Sequence, residues 1–287
     1  MISRSTWLHL RLPFSFFLLP VFLLALSLVF RYDPYRIGLV FFILHFLLYP
    51  ASNGYNSYFD KDEDSIGGLE KPPKVKKELY WVSILLDVAA LLLGLLLGKL
   101  FVLMAFIYGL VSKAYSHPAV RLKKMPVTGW LAAGIFQGAF TVLMVYAGLT
   151  GEGVSALSTP EIYVPALLSS ILLLGSYPMT QIYQHDEDGR RGDETISRKL
   201  GVPGTFHFTA VFFAFADAGF VWYFINYRDP MFAWLFQFAM LPVLMYFLGW
   251  YMAVRNDPGA VTYRRTMRLN LLSAFCLNVF FLVLTIY

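Results

Sequence analysis

Only one cysteine, Cys276, occurs in the chain, and it lies inside the last long apolar run, so no disulfide can form within the chain. Charge is scarce too. Asp, Glu, Lys and Arg make up 14% of residues, where a soluble domain carries about a quarter. Short segments of alternating apolar and polar residues, the mark of an outer-membrane barrel, are missing. The basic residues form no aromatic-interleaved patch; they are scattered among short loops, so a sequence pI near 9.1 does not point to nucleic acid. Membrane orientation accounts for them better.

What the chain has instead is apolar length. Hydrophobic residues make up 58% and aromatic residues 18%, and mean hydropathy is +0.60. Runs of about 20 apolar residues recur from end to end, each enough to cross a hydrocarbon core. The pattern predicts one all-α membrane domain over residues 1–287, with nine spans near 14–30, 36–58, 79–98, 100–116, 127–149, 161–184, 205–226, 231–254 and 267–286. The first run follows Arg4 and Arg11 as a signal peptide would, but it lacks a clear small-residue cleavage site and runs into Arg31, so it is read as a retained span.

Of the 23 Lys and Arg, 19 lie at the N-terminus and in or beside the loops after spans two, four, six and eight. That bias places the N-terminus and those loops in the cytoplasm and the protein in the cytoplasmic (inner) membrane. Eleven of the 18 acids fall in two clusters on the same side, six within 60–78 and five within 186–194. Topology does not require acids there, so their placement needs a cause of its own. A shared cation site facing the cytoplasm is the economical one.

The first acidic stretch reads Asn56-Ser57-Tyr58-Phe59-Asp60-Lys61-Asp62-Glu63-Asp64. Asn56, Asp60 and Asp64 recur every fourth residue, which on a helix places them on one face, about 6 Å apart per step. Carboxylate and amide oxygens suit Mg²⁺, which keeps other positions for water and phosphate. The second stretch runs from Gln184 to Thr195, with Gln184 and Asp188 again four apart and Asp186 between them. Asp60 and Asp188 sit in equivalent places at the ends of two even-numbered spans, which suggests two helix ends facing each other across a cavity. Between them in sequence, the loop after span four carries Tyr115, Arg121, Lys123 and Lys124, donors suited to phosphate oxygens. Lys71, Lys74, Lys76 and Lys77 are read as contacts for anionic lipid. His185 is read as a bystander beside the acids, and Asp87 and Asp217 as costly acids at membrane depth, either paired or acting on a substrate proton.

These motifs resemble a known family. Asn-Ser-Tyr-Phe-Asp-Lys-Asp-Glu-Asp at 56–64 is similar to the first aspartate-rich motif of the UbiA superfamily of intramembrane prenyltransferases, and Gln184 to Thr195, running on to Leu200-Gly201, is similar to the second. The run from Tyr115 through Arg121-Leu122-Lys123, and Arg11-Leu12-Pro13, also match the family. The resemblance implies an isoprenyl diphosphate held through Mg²⁺, ionised, and captured by an aromatic or other lipophilic acceptor. It implies metal-binding roles for Asn56, Asp60, Asp64 and Asp188, with Gln184 and Asp186 beside them, and catalytic weight on Asp60, Asp64 and Asp188. It also implies diphosphate contacts from Tyr115, Arg121 and Lys123, with Asn56 and Gln184 facing the same substrate. Three positions depart from the pattern: Ser57, the Ser65-Ile66-Gly67-Gly68 run, and Gln184 where the family has an acid. With Asp at 184 the fit to the family would be closer, so Gln184→Asp is expected to preserve or raise activity.

Ionising an allylic diphosphate demands anion stabilisation in a water-poor site and electron-rich walls for the cation. Tyr55, Tyr58, Phe59, Phe136, Phe140, Tyr177 and Tyr183 are the candidates for those walls. Two other readings stay open: a terpene cyclase of the same superfamily, needing no acceptor, and a cation-coupled transporter, which would more often place its acids near the bilayer midplane.

Overall fold

The computed structural model describes residues 2–61 and 63–287. Among the described residues, eight helices are long and apolar enough to cross a membrane: α1 Arg4–Ser27, α2 Pro34–Asp60, α4 Lys99–Ser116, α5 Pro126–Thr150, α6 Pro160–Arg191, α7 Ile196–Tyr227, α8 Met231–Asn256 and α9 Tyr263–Ile286. Between α2 and α4 lies α3, Glu78–Gly94, whose 17 residues reach about 25 Å, just under the hydrocarbon thickness. Among the described residues there is no β-strand, only one isolated bridge between Ile66 and Leu69.

The helices start and stop where local chemistry says they should. Ser3, Asp33, Thr195 and Thr262 accept hydrogen bonds from first-turn amides, and Pro34, Pro126 and Pro160 occupy first-turn positions that need no N–H. Gly151 ends α5 in the left-handed region. At the ends opposite the acidic stretches, arginines satisfy stray carbonyls. Arg36 donates to the Leu97 and Gly148 carbonyls at 3.1 and 2.9 Å, and Arg228 donates to the Ser27 carbonyl at 2.7 Å.

Helices α2, α4, α5, α6, α7, α8, α9 and α1 pack in sequence, neighbour on neighbour, into a ring. Each of the eight lines a central cavity; α3 lies outside, against α2 and α4, and lines none of it. Two π-type turns distort the inner wall, Ile43–Leu48 in α2 and Phe136–Phe140 in α5. Such turns insert a residue and re-aim every side chain beyond them. In α5 the distortion is held from outside. The Ser170 hydroxyl accepts from the Ala139 amide at 2.8 Å and donates to the Gly134 carbonyl at 3.1 Å. A Cβ on Gly138 would stand 2.6 Å from Ser170 Cα, so only glycine lets α6 approach this closely.

Candidate active site

α2 ends abruptly. Lys61 adopts a left-handed conformation (φ 51°), and its amide caps the Ser57 carbonyl. Asn56 and Asp60, in the last turn before that break, both line a polar cavity of about 260 Å³. Asp64 does not. Because the helix stops at Asp60, the four-residue spacing no longer carries Asp64 onto the same face, and it pairs instead with Arg190 at 2.6 Å on an exposed surface. That is a correction to the expected three-residue face, and the left-handed break at Lys61 is its cause.

The second acidic stretch opens with a short helical turn, Ile182–Gln184, and continues as a helix over His185–Arg191. Gln184 and Asp188 line the same polar cavity as Asn56 and Asp60, so both helix ends contribute to one chamber. Asp186 faces away and is exposed. The Gln184 side-chain amide donates to the Ser65 carbonyl at 3.0 Å, joining two of the positions that depart from the family pattern. His185 hydrogen-bonds Ser197 at 2.7 Å and stays out of the cavity.

One acid that sequence reasoning passed over stands out here. Gly192 (φ 69°) turns the chain back on itself, and the Asp193 amide then bonds the Asp188 carbonyl at 2.9 Å. That cap folds Asp193 into the polar cavity, 2% exposed, next to Asp188. Two residues on, Thr195 caps α7 and donates to the Asp188 carboxylate at 3.3 Å. The signal was legible: basic residues Arg190 and Arg191 followed by glycine mark a helix end that doubles back.

The basic loop closes the chamber between these two ends. Arg121 adopts a left-handed conformation (φ 43°) and opens a short turn, Leu122–Lys124. Gly129 presses against the Leu122 carbonyl, where a Cβ would come within 2.8 Å. The turn sends Lys123 inward, 2.5 Å from Asp60 and 3.7 Å from Asp193, while Arg121 pairs with Asp193 at 3.1 Å. Charges therefore alternate from Arg121 through Asp193 and Lys123 to Asp60 across the two helix ends. Lys124, Lys71, Lys74, Lys76 and Lys77 are exposed outside the chamber. Tyr115 lines it, its hydroxyl hydrogen-bonded to that of Tyr177.

A second cavity of about 670 Å³, walled mainly by apolar side chains, continues from the polar one into the bundle. Phe14, Asn53, Tyr108, Gln137, Tyr177 and Asn270 line both, so the two are one continuous space. Its volume lies in the ordinary range for ligand pockets. Of the expected aromatic walls, Phe136, Tyr177 and Tyr183 face the polar part. Tyr55, Tyr58 and Phe59 instead pack around Tyr80 outside it, and Phe140 packs on Phe136 at 4.7 Å. Phe14 and Tyr108 take their places; neither was singled out from sequence. Asp87 pairs with Lys113, away from both cavities, and Asp217 lines the apolar one, accepting from Gln237 at 2.7 Å.

The donor set suits Mg²⁺ that arrives with phosphate. Among the described residues, no three His, Cys, Asp or Glu side chains converge into a metal cage. Yet Asn56 Oδ1 and Asp193 Oδ1 are buried without a hydrogen-bond partner, and Asp60 and Asp188 face the same space. Few carboxylates, with positions left for phosphate and water, is how Mg²⁺ is commonly held.

Comparison with known proteins agrees with this geometry. A UbiA homologue from Aeropyrum pernix K1 superposes with a TM-score of 0.71 at 18% identity, covering 98% of this chain and 99% of its own. A UbiA homologue from Archaeoglobus fulgidus, bound to GPP and Mg²⁺, does so at 0.65 and 15% identity, covering 98% and 100%. Digeranylgeranylglyceryl phosphate synthase of Methanosarcina mazei is 30% identical over 169 residues, 57% of this chain and 55% of that relative, so the match spans about half its length. The model of the UbiA prenyltransferase family matches residues 14–272. With residues 14–272 matched and the two acidic stretches meeting in one chamber, the protein belongs to the UbiA prenyltransferase family and is an integral membrane protein.

Proposed function

We propose that this protein transfers a prenyl group from an isoprenyl diphosphate to a lipophilic acceptor, with Mg²⁺ at the polar end of the chamber. The observation that carries this reading is the continuity of a charged 260 Å³ cavity with an apolar one of 670 Å³, one for a diphosphate and one for its hydrocarbon tail. Lys123 and Arg121 take the phosphate oxygens, exchanging part of their present pairing with Asp60 and Asp193 for the incoming anion. The Tyr115–Tyr177 hydroxyl pair adds donors beside them. Asn56, Asp60 and Asp188 would hold Mg²⁺, which supplies charge neutralisation for the departing diphosphate.

As the allylic C1–O bond breaks, its electron pair stays with the diphosphate. Phe14, Tyr108 and Tyr177 line both cavities where they meet, with Phe136 beside them in the polar one, and their faces stabilise the allylic cation by about 0.5–2 kcal/mol each. The acceptor then gives an electron pair to C1 and releases a proton. The mainly apolar walls of the larger cavity keep water from competing.

The similarity to a synthase named for a digeranylgeranylglyceryl phosphate product favours a lipophilic acceptor with a glyceryl phosphate head for this chain as well. The excess of Lys and Arg around the polar mouth supports a cytoplasmic orientation of the site in the cytoplasmic membrane. Purified protein, incubated with isoprenyl diphosphates of several lengths and a panel of acceptors that includes glyceryl phosphate ethers and phenolic rings, should give an acceptor-linked prenyl product by mass spectrometry. A hydrocarbon or alcohol formed from the diphosphate alone would make it a cyclase; no consumption of any diphosphate would refute the proposal.

A further inference from the structure

The second motif of this chain lacks the acid expected at position 184, and the structure offers both an explanation for Gln184 and a replacement. Gln184 is engaged elsewhere. Its amide nitrogen donates to the Ser65 carbonyl, a bond no carboxylate could make. Ser65 belongs to a tight turn in which Ile66 and Leu69 exchange backbone hydrogen bonds at 3.0 and 2.8 Å and Gly68 is left-handed (φ 82°). That turn lies over the cavity mouth, where Ile66 and Gly67 line the polar chamber. Arg11 holds it from the other side by donating to the Gly67 carbonyl at 3.1 Å, and both glycines of the turn rest on the Phe14 ring. Gln184 and the Ser65–Gly68 run, both departures from the family pattern, thus touch each other.

The missing carboxylate reappears nine residues later. Asp193 is 2% exposed and lines the polar cavity. Its Oδ2 is engaged by Arg121 at 3.1 Å and Lys123 at 3.7 Å, but its Oδ1 is buried with no hydrogen-bond partner. A buried carboxylate oxygen left unmatched is costly, a cost that a bound cation removes. Its backbone cannot swing it aside, because its amide is tied to the Asp188 carbonyl and its own carbonyl accepts from Arg198 at 2.7 Å.

We propose that Asp193 is a divalent-cation ligand of the diphosphate-loaded site, taking the place that position 184 leaves open, and that Gln184 is a positioning residue that latches the Ser65–Leu69 turn over the mouth. This rests on the diphosphate reading above and adds a ligand to it. In the empty chamber Asp193 shares its charge with Arg121 and Lys123; in the loaded one its free oxygen faces the metal.

The test is Mn²⁺ binding to the full-length protein in detergent, followed by electron paramagnetic resonance, with and without inorganic pyrophosphate. Metal-free pyrophosphate affinity is measured alongside. Asp193→Asn should weaken Mn²⁺ binding in the presence of pyrophosphate by about tenfold or more, the scale of lost metal-site partners. Asp193→Glu, which keeps the charge and secures the comparison if Asn disturbs folding, should bind Mn²⁺ more tightly than Asn. Gln184→Leu should leave Mn²⁺ affinity within about twofold of wild type, because position 184 contributes no ligand. Unchanged Mn²⁺ affinity in Asp193→Asn overturns the proposal. So does an equal loss of metal-free pyrophosphate affinity, which would make Asp193 a mere holder of Arg121 and Lys123, or a Gln184→Leu loss as large as that of Asp193→Asn. Failure of the wild type to bind Mn²⁺ with pyrophosphate would instead bring down the diphosphate reading itself.

Discussion

At the scale of single residues, Lys123 has the most to explain, since it holds Asp60 and Asp193 together. Removing it leaves two buried acids facing each other with one base fewer, so Lys123→Ala should raise the KM for the prenyl diphosphate more than it lowers kcat. Steady-state kinetics in detergent would show the split, and an effect confined to kcat would count against a phosphate-binding role. Asp60 and Asp64 should separate as well. Asp60→Asn removes an oxygen that faces the chamber and should cost more than the 10–100-fold typical of supporting partners, whereas Asp64→Asn should stay within that range. Equal losses would mean that the loop carrying Asp64 closes inward when substrate binds. Position 184 reverses an expectation drawn from the sequence. Asp there would set a carboxylate against the Ser65 carbonyl and lose the donor that ties the turn to the second motif, so Gln184→Asp should lower activity, not raise it. Sequence reasoning read Asn56, Asp60, Asp188, Tyr115 and Lys123 into one site because their residue types and spacing carry the chemistry. Asp64 fell outside it because a left-handed Lys61, invisible to a periodicity argument, ends the helix early.

At the scale of elements, two contacts hold the chamber's walls. Gly138 lets α6 touch the distorted turn of α5, and even Gly138→Ala would force apart backbone atoms already at the limit. Overpacking of that kind costs about 1–3 kcal/mol, and a thermal melt of the detergent-solubilised variant should show it as a lowered Tm. An unshifted Tm would mean the turn yields without cost. On the outside of the ring, Lys113 neutralises Asp87 and lies 5.2 Å from the Tyr55 ring centre. Breaking a largely buried pair by losing one partner costs about 3–5 kcal/mol, so Lys113→Ala should destabilise strongly, while replacing both residues with apolar ones of similar size should restore most of the loss. The sequence showed Asp87 to be expensive at that depth but not who stood beside it, because Lys113 is on another helix. The π-type turns were hidden for a related reason: nothing in the local apolar pattern of 43–48 or 136–140 distinguishes hydrogen bonds that reach five residues along from those that reach four.

At the scale of the molecule, the all-α membrane class was legible and the ring with its interior was not. Eight of the nine expected spans fall, among the described residues, on helices long and apolar enough to cross a membrane, and the ninth, α3, is the helix that stands outside the ring. Which faces turn inward depends on Phe14, Tyr108, Asn270 and other residues that carry no motif, so the shape of the apolar chamber had to come from the packed structure. The central claim is spatial: one ligand spans both cavities, its phosphates between Asp60 and Asp188 and its tail among α6, α7, α8 and α9. A structure of the protein with an unreactive thiolodiphosphate analogue of a prenyl donor and Mn²⁺ measures this directly. The account predicts diphosphate density against Lys123 and Arg121, metal between the two helix ends, and the chain descending past Phe14 into the larger cavity. Density for the diphosphate anywhere else, or metal bound at only one helix end away from the phosphates, would contradict it.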